Sequence, residues 1–145
     1  MGGPLVAKFV LVGLLSWTAV QAQTVWFTVA GDPANAALNT VQVDPVPVDV
    51  KDGVRTMRVR VSRSLPRTSW DGVPYRSYES LVVFDCAKDS ARYLSITYFT
   101  QPLWAGPSSQ TVSYATGEPR LMLFRDVEPN PTQRILHAAC GRTPR

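Results

Sequence analysis

Apolar and polar residues alternate along most of the chain from residue 23 onward, and this period of two predicts β-strands. The clearest alternation is in VRTMRVRVS, residues 54–62. Three apolar side chains there occupy one face and three polar ones the other: Met57, Val59 and Val61 against Thr56, Arg58 and Arg60. The segment is therefore predicted to be a half-buried strand.

Other strands are predicted from shorter segments of the same kind. YRSYESLVVFDC, residues 75–86, and RYLSITYFT, residues 92–100, are separated by a polar turn and predict a β-hairpin. TVWFTVA, TVSYA and PRLMLFRDV predict further strands. Pro45 and Pro47 interrupt the segment between the first strand and the long one, which therefore fits an edge strand or a bend better than a central strand.

The period changes near the C-terminus, where NPTQRILHAACG, residues 130–141, predicts a short helix. Asn130 is a candidate N-cap, Pro131 suits the first helical position, and Gly141 follows the end. Leu136 and Cys140 are four residues apart, so they share a helix face, which we expect to turn toward the sheet. The predicted fold is α+β, with a single small antiparallel β-sheet and a short C-terminal helix.

The first 22 residues have the features of a secretory signal peptide. Lys8 supplies a positive charge, residues 9–15 form an apolar run, and residues 20–22 form a small-residue cleavage site. A transmembrane anchor is the alternative, but this run is far shorter than the roughly 20 residues that a bilayer span needs. We expect cleavage before Gln23, which leaves one domain, residues 23–145, exported to the periplasm or the cell surface.

Export to an oxidising compartment decides how Cys86 and Cys140, the two cysteines of the chain, are interpreted. A zinc site would need four ligands, and the single histidine cannot complete one. A redox pair would normally have the CxxC spacing, which is absent. Two distant cysteines in an exported chain are most simply explained by a disulfide. This bond would tie the helix to the end of the strand at residues 75–86.

The formal net charge is +4, and most of the positive charge is carried by arginine. So small an excess does not indicate nucleic-acid binding, but arginine suits paired contacts with carboxylate, sulfate or phosphate groups. The candidate partner-binding residues cluster in the half-buried strand and just after it: Arg58, Arg60, Arg63, Arg67, Trp70 and Tyr75. The alternative is that these charges keep a polar strand face soluble.

The sequence contains no GxSxG, no HExxH and no glycine-rich phosphate loop. His137 lies in the predicted helix without a nucleophile motif nearby and is interpreted as a solvated or partly packed helix residue. Asp44, Asp49 and Asp52 lack the spacing of a calcium loop and are more simply explained as residues of strand ends and turns. The protein is therefore predicted to be non-enzymatic, with no cofactor and no metal site.

Several features occur together along the chain: an early Trp26, the VQVD strand, a Gly-x-x-Tyr pattern at Gly72 and Tyr75, the FDC strand end followed by an arginine and aromatic residues, and Cys140 on a terminal helix. They resemble the surface-adhesin protein E-like domain of Gram-negative bacteria over residues 23–145. The resemblance implies an antiparallel sheet with a disulfide-tied helix, export to the cell envelope and no enzymatic activity. The name-giving member is lipid-anchored. In this chain the residue directly after the predicted cleavage site is Gln23, so the cysteine that would accept a lipid at that position is missing.

Two functions from different classes fit these features. The first is an exported interaction protein of the bacterial cell envelope, monomeric or homodimeric, that binds a protein or an anionic polysaccharide through the basic strand face or an open sheet edge. The alternative is a periplasmic structural or small-ligand-binding module with a pocket between sheet and helix. Neither requires nucleic acid or a stable membrane span.

Overall fold

The computed structural model describes residues 2–4, 13–19 and 23–141. Its strands and helix are, in chain order, β1 Phe27–Ala30, β2 Thr40–Val43, β3 Asp49–Lys51, β4 Val54–Thr68, β5 Pro74–Asp85, β6 Ser90–Phe99, β7 Ser108–Ser113, β8 Arg120–Leu121 and α1 Thr132–Cys140. The predicted signal-peptide cleavage site, residues 20–22, lies outside the described residues. Among the residues that are described, none belongs to a helix with the length and apolar character needed to cross a membrane.

All the strands belong to one antiparallel sheet with the order β1-β2-β4-β5-β6-β7, while β3 pairs with β4 and β8 with β6. The long β4–β5 hairpin is in continuous register from Val54 opposite Asp85 to Ser62 opposite Ser77. Beyond that point the register shifts, and it resumes at Arg67 opposite Tyr75. The predicted single antiparallel sheet with one C-terminal helix is confirmed.

The two faces of the sheet differ in their covering. The face that carries Met57, Val59 and Val61, here called the inner face, is buried, since these three side chains are exposed by 1% or less. The half-buried alternation predicted for this strand is therefore confirmed. Helix α1 covers part of the inner face with Ile135, Leu136 and Ala139, which belong to the same core. The opposite face, which carries Arg58 and Arg60, is called the outer face.

Helix α1 is fixed at its C-terminal end. Cys140 is disulfide-bonded to Cys86, just after β5, with a Cα–Cα distance of 5.8 Å, so the predicted disulfide is present. Arg55 Nη1 donates a hydrogen bond of 3.2 Å to the carbonyl of Ala139, one of the last helical carbonyls, which lack partners within the helix. Gly141 ends the helix in the left-handed conformation at φ 65, which favours glycine.

Two local predictions need correction. The helix begins at Thr132, and Pro131 holds the cap position; the side chain of Asn130 accepts a hydrogen bond from the Thr132 N–H at 2.9 Å. PRLMLFRDV, predicted as a strand, pairs with β6 only through Arg120–Leu121. The rest of this segment is irregular. The Met122 N–H still donates a 3.0 Å hydrogen bond to the carbonyl of Ala91 in β6. Met122 and Phe124 are buried in the core of the inner face, so beyond Met122 packing on the sheet replaces pairing with it.

Candidate functional site

The candidate partner-binding residues do not share one surface. Arg58 and Arg60 lie on the outer face of β4. Side chains alternate between the two faces along a strand, so Arg63, two residues after Val61, lies on the inner face. Arg63, Arg67, Trp70 and Tyr75 line one cavity on that inner side. The sequence cluster is thus divided into two groups by the sheet.

Arg60 contacts two indole rings on the outer face. Its guanidinium carbon lies 4.2 Å from the ring centroid of Trp26 and 3.9 Å from that of Trp104. Arg60 Nε donates a 2.7 Å hydrogen bond to Gln42 Oε1, and Nη1 lies 4.0 Å from a carboxylate oxygen of Glu79. Burial lowers the pKa of Arg60 from its ordinary value, and the Glu79 carboxylate opposes that effect. Two cation–π contacts, together with the hydrogen bond to Gln42, hold the guanidinium in position.

The chain positions Trp104 with a strained turn at Pro102–Trp104. Leu103 and Trp104 have φ values of 54 and 56, in the left-handed region that non-glycine residues seldom adopt. The Leu103 N–H donates to Ser62 Oγ at 2.9 Å and the Trp104 N–H donates to Ser77 Oγ at 3.0 Å. Trp104 Nε1 donates to the carbonyl of Tyr78 at 3.0 Å. These hydrogen bonds hold the strained backbone so that the indole lies over Arg60.

The outer face has a third arginine, which sequence reasoning missed. Arg92 pairs with Val83, and Val83 pairs with Thr56, so Arg92 shares the face of Thr56 and Arg58. Arg58 is exposed. The register of the predicted hairpin at residues 75–100 is the signal that could have identified Arg92, because register decides which side chains share a face.

The inner face carries a cluster of tyrosines beside Arg63. The rings of Tyr75, Tyr78 and Tyr98 are in mutual contact, with centroid distances between 5.1 and 6.1 Å. The hydroxyls of Tyr78 and Tyr93 share a 2.7 Å hydrogen bond. Burial raises the pKa of both Tyr78 and Tyr93, and their mutual proximity raises that of Tyr78 further.

The rim of the inner cavity combines aromatic and charged groups. Arg67 is ion-paired and hydrogen-bonded to Asp126. The guanidinium of Arg120 lies 4.5 Å from the ring centroid of Trp70 and 3.8 Å from a carboxylate oxygen of Asp71. Trp70 itself is 84% exposed, so its indole is available for contact at the mouth of the cavity.

The buried tyrosine pair predicts loss of stability at alkaline pH. The folded state retains the protons of Tyr78 and Tyr93 above the ordinary tyrosine pKa of about 10. Their contribution to stability is therefore complete below pH 10, and the free energy of unfolding should fall above it by up to about 1.4 kcal/mol per pH unit for each tyrosine. Urea unfolding at pH 9, 10 and 11 measures this slope.

The double change Tyr78→Phe, Tyr93→Phe is the control for this slope. Removing both hydroxyls leaves no buried group unpaired, so stability at neutral pH should change little. The loss between pH 10 and pH 11 should become clearly smaller than in the parent protein. An identical slope in both proteins would contradict a role for this pair in the alkaline response.

Other candidate chemical groups lie apart from these two surfaces. His137 is half buried and lines an apolar groove of about 370 Å³ beside Trp26 and Phe27. Asp44 Oδ1 accepts the Val46 N–H at 3.0 Å, as expected for a residue in a turn after a strand. Across the part of the chain that the structure describes, no three side chains of the metal-binding types come together.

Comparison with known proteins identifies the family. The family model described as surface-adhesin protein E matches residues 26–141, which covers both surfaces, the disulfide and α1. No match is found among curated proteins or among solved structures. The matched region is most of the chain and has the sheet, the terminal helix and the disulfide that the resemblance implied. The chain belongs to the surface-adhesin protein E family.

Proposed function

We propose that this protein is an exported, non-enzymatic interaction protein of the bacterial cell envelope that binds an acidic or sulfated macromolecule through its outer face. Membership of a surface-adhesin family supports export and binding to a partner. The observation that carries the choice of surface is the stack of Trp26, Arg60 and Trp104, with ring distances of 4.2 and 3.9 Å. A cation held in one position loses little conformational entropy when it binds an anion.

The charges around the stack favour an anionic partner. Four basic residues lie on this face, Lys51, Arg58, Arg60 and Arg92, against three acids, Asp49, Glu79 and Asp85, of which Glu79 approaches Arg60. Arginine donors match the geometry of carboxylate and sulfate oxygens. The half-exposed indoles beside Arg60 add flat apolar area. Tryptophan and arginine are among the residue types that contribute most of the binding energy at protein interfaces.

The alternative of a small-ligand module with a pocket between sheet and helix receives less support. Ile135, Leu136 and Ala139 are exposed by 1% or less, so the interface of α1 with the sheet is filled. The groove of about 370 Å³ lies beside the helix and is lined mainly by apolar residues such as Val25 and Phe27. It has few polar groups that could select one ligand.

Retention on heparin, a sulfated polysaccharide, tests the proposed surface. Changing Arg58→Ser and Arg92→Ser together removes two exposed or partly exposed charges while leaving the stacked Arg60 in place. We expect affinity for heparin at 0.1 M salt to fall about tenfold, since each surface charge pair is worth up to about 1 kcal/mol. Retention of the parent protein should weaken as salt shortens the Debye length from about 10 Å at 0.1 M to about 3 Å at 1 M.

The matched control is Lys88→Ser with Arg134→Ser, which removes the same charge from exposed positions on the β5–β6 turn and on α1, outside the strands of the outer face. This variant should elute close to the parent protein. If both double variants elute equally early, retention reflects net charge alone and the outer face is not a dedicated surface. If the parent protein is not retained at low salt, an anionic partner is excluded for this face.

A further inference from the structure

A second surface of different character lies on the inner face, next to the region that α1 covers. The cavity there has a volume of about 620 Å³, within the range of small-molecule sites. Its floor is formed by tyrosines of β5 and β6 together with Ile96, and residues 118–126 form its opposite wall. The floor is therefore mainly aromatic, which suits a flat apolar body, whereas residues 118–126 contribute both apolar and charged side chains.

Arg63 is the unusual residue of this cavity. It is only 7% exposed, although it carries a full charge on the apolar side of the sheet. Its Nε and Nη1 atoms are buried and have no hydrogen-bond partner. Its Nη2 lies 3.6 Å from Asp126, too far for a normal hydrogen bond, and the same carboxylate is already bonded to Arg67. A buried charge with so little compensation is costly to the fold.

The charge of the cavity is positive overall. Four arginines line it, and three acids offset them in part: Glu118 and Asp126 in the lining, and Asp71, which lies 3.8 Å from Arg120 at the rim. Arg63 also lies near the phenolic groups of Tyr78 and Tyr93, where its charge acts to lower their pKa against the larger effect of burial. An anionic group entering the cavity would thus meet a largely buried cation whose one carboxylate partner, Asp126, is shared with Arg67, and attraction between charges is stronger where water is excluded.

We propose that this cavity binds a small organic anion, in which an oxyanion group pairs with Arg63 and a flat apolar body packs among the tyrosines. The anionic group would pair with Arg63 through Nη2, because Nε and Nη1 are closed off from solvent, and so would offset part of the cost of burying this charge. The aromatic floor, with the exposed Trp70 beside it, supplies the area that holds the body of the ligand. This site lies on the opposite side of the sheet from the outer face and does not depend on the function proposed above.

Calorimetric titration of the full chain with 1-naphthoate and with its neutral counterpart 1-naphthamide tests the proposal. The two probes have nearly the same shape, so the difference in their affinities reports the contribution of the negative charge. We expect naphthoate to bind at least tenfold more tightly than the amide. Equal affinities, or no detectable binding of naphthoate at millimolar concentration, would overturn the proposal.

Two variants test whether Arg63 is the residue that recognises the negative charge of the ligand. Arg63→Gln should reduce the difference between naphthoate and naphthamide to less than twofold, and Arg58→Gln on the outer face should leave it unchanged. A preference for naphthoate that persists in Arg63→Gln, or that is lost in Arg58→Gln, would contradict the assigned site. Because the comparison of acid and amide uses the unaltered chain first, the proposal stays testable even if Arg63→Gln fails to fold.

A third probe shows which type of anionic group the cavity accepts. Naphthalene-1-sulfonate has the same apolar body with a sulfonate group in place of the carboxylate. Affinity within about threefold of naphthoate would indicate recognition of charge in general, since an arginine pairs with both groups. Binding more than tenfold weaker would restrict the ligand to carboxylates. Sulfonate binding that persists in Arg63→Gln would contradict the role of Arg63.

Discussion

Replacing Cys140 by serine is expected to lower the free energy of unfolding by about 2 to 5 kcal/mol, as for other native disulfides of small exported domains. The bond closes a loop with a sequence separation of 54, for which chain entropy alone predicts about 4 kcal/mol. Helix α1 should then detach from the sheet at its C-terminal end, where the hydrogen bond from Arg55 to Ala139 remains as a weaker link. Urea unfolding followed by circular dichroism measures the loss.

Reduction of the parent protein is the control for this prediction. Adding dithiothreitol should lower the melting temperature by about 10 °C, because 1 kcal/mol corresponds to a few degrees in a domain of this size. The same treatment should leave Cys140→Ser unaffected. If the parent protein melts at the same temperature with and without reductant, the disulfide contributes little and the stability lies in the sheet alone.

Phe84→Ala is expected to destabilise the protein by about 3 to 5 kcal/mol, the usual cost of removing a fully buried phenylalanine. Phe84 is 0% exposed and lies in the core near the end of β5, two residues before Cys86. Removing its ring leaves a cavity between the sheet and α1, and the disulfide limits how far the helix can move to fill it. Thermal or urea unfolding of the oxidised variant gives the value.

Phe27→Ala is the matched control, because it removes the same ring from an edge strand where the side chain is 56% exposed. Its cost should stay near or below about 1 kcal/mol, since more than half of the ring is in water already. Similar losses for the two variants would contradict the view that the inner face around Phe84 is the main core of the domain.

Much of the fold follows from local patterns. The period of two in residues 54–62 fixes which side of β4 is buried, and the change of period after residue 129 marks α1. The failure at PRLMLFRDV has a physical cause. Met122 and Phe124 are apolar because they cover the inner face, and a covering segment needs the same residue types as a strand. A covering segment and a strand differ only in how far they pair with the sheet, and here the pairing with β6 is limited to Arg120–Leu121.

The candidate surfaces were harder to predict, because each combines distant parts of the chain. The sequence shows that Arg63 is two residues after Val61 and should share its face of the strand. A charged side chain on the buried face, however, conflicts with the rule that charges stay in water. It is tolerated beside the tyrosines and Asp126, whose positions depend on the covering segment. The stack on Arg60 likewise requires the strained turn that presents Trp104, and nothing local to β4 predicts it.

The bond between Cys86 and Cys140 also makes a covalent ring of the second half of the chain. Strands β6, β7 and β8 and helix α1 all lie inside this ring, together with the exposed loop at residues 115–119. A protease that cuts one peptide bond in that loop, the kind of site where nicking concentrates, would leave a single covalently connected molecule. A cut in the loop at residues 69–73, outside the ring, would instead give a separate fragment held by strand pairing and core packing without a covalent link. An oxidised protein outside the cell would therefore survive one cleavage between residues 86 and 140 without losing any part.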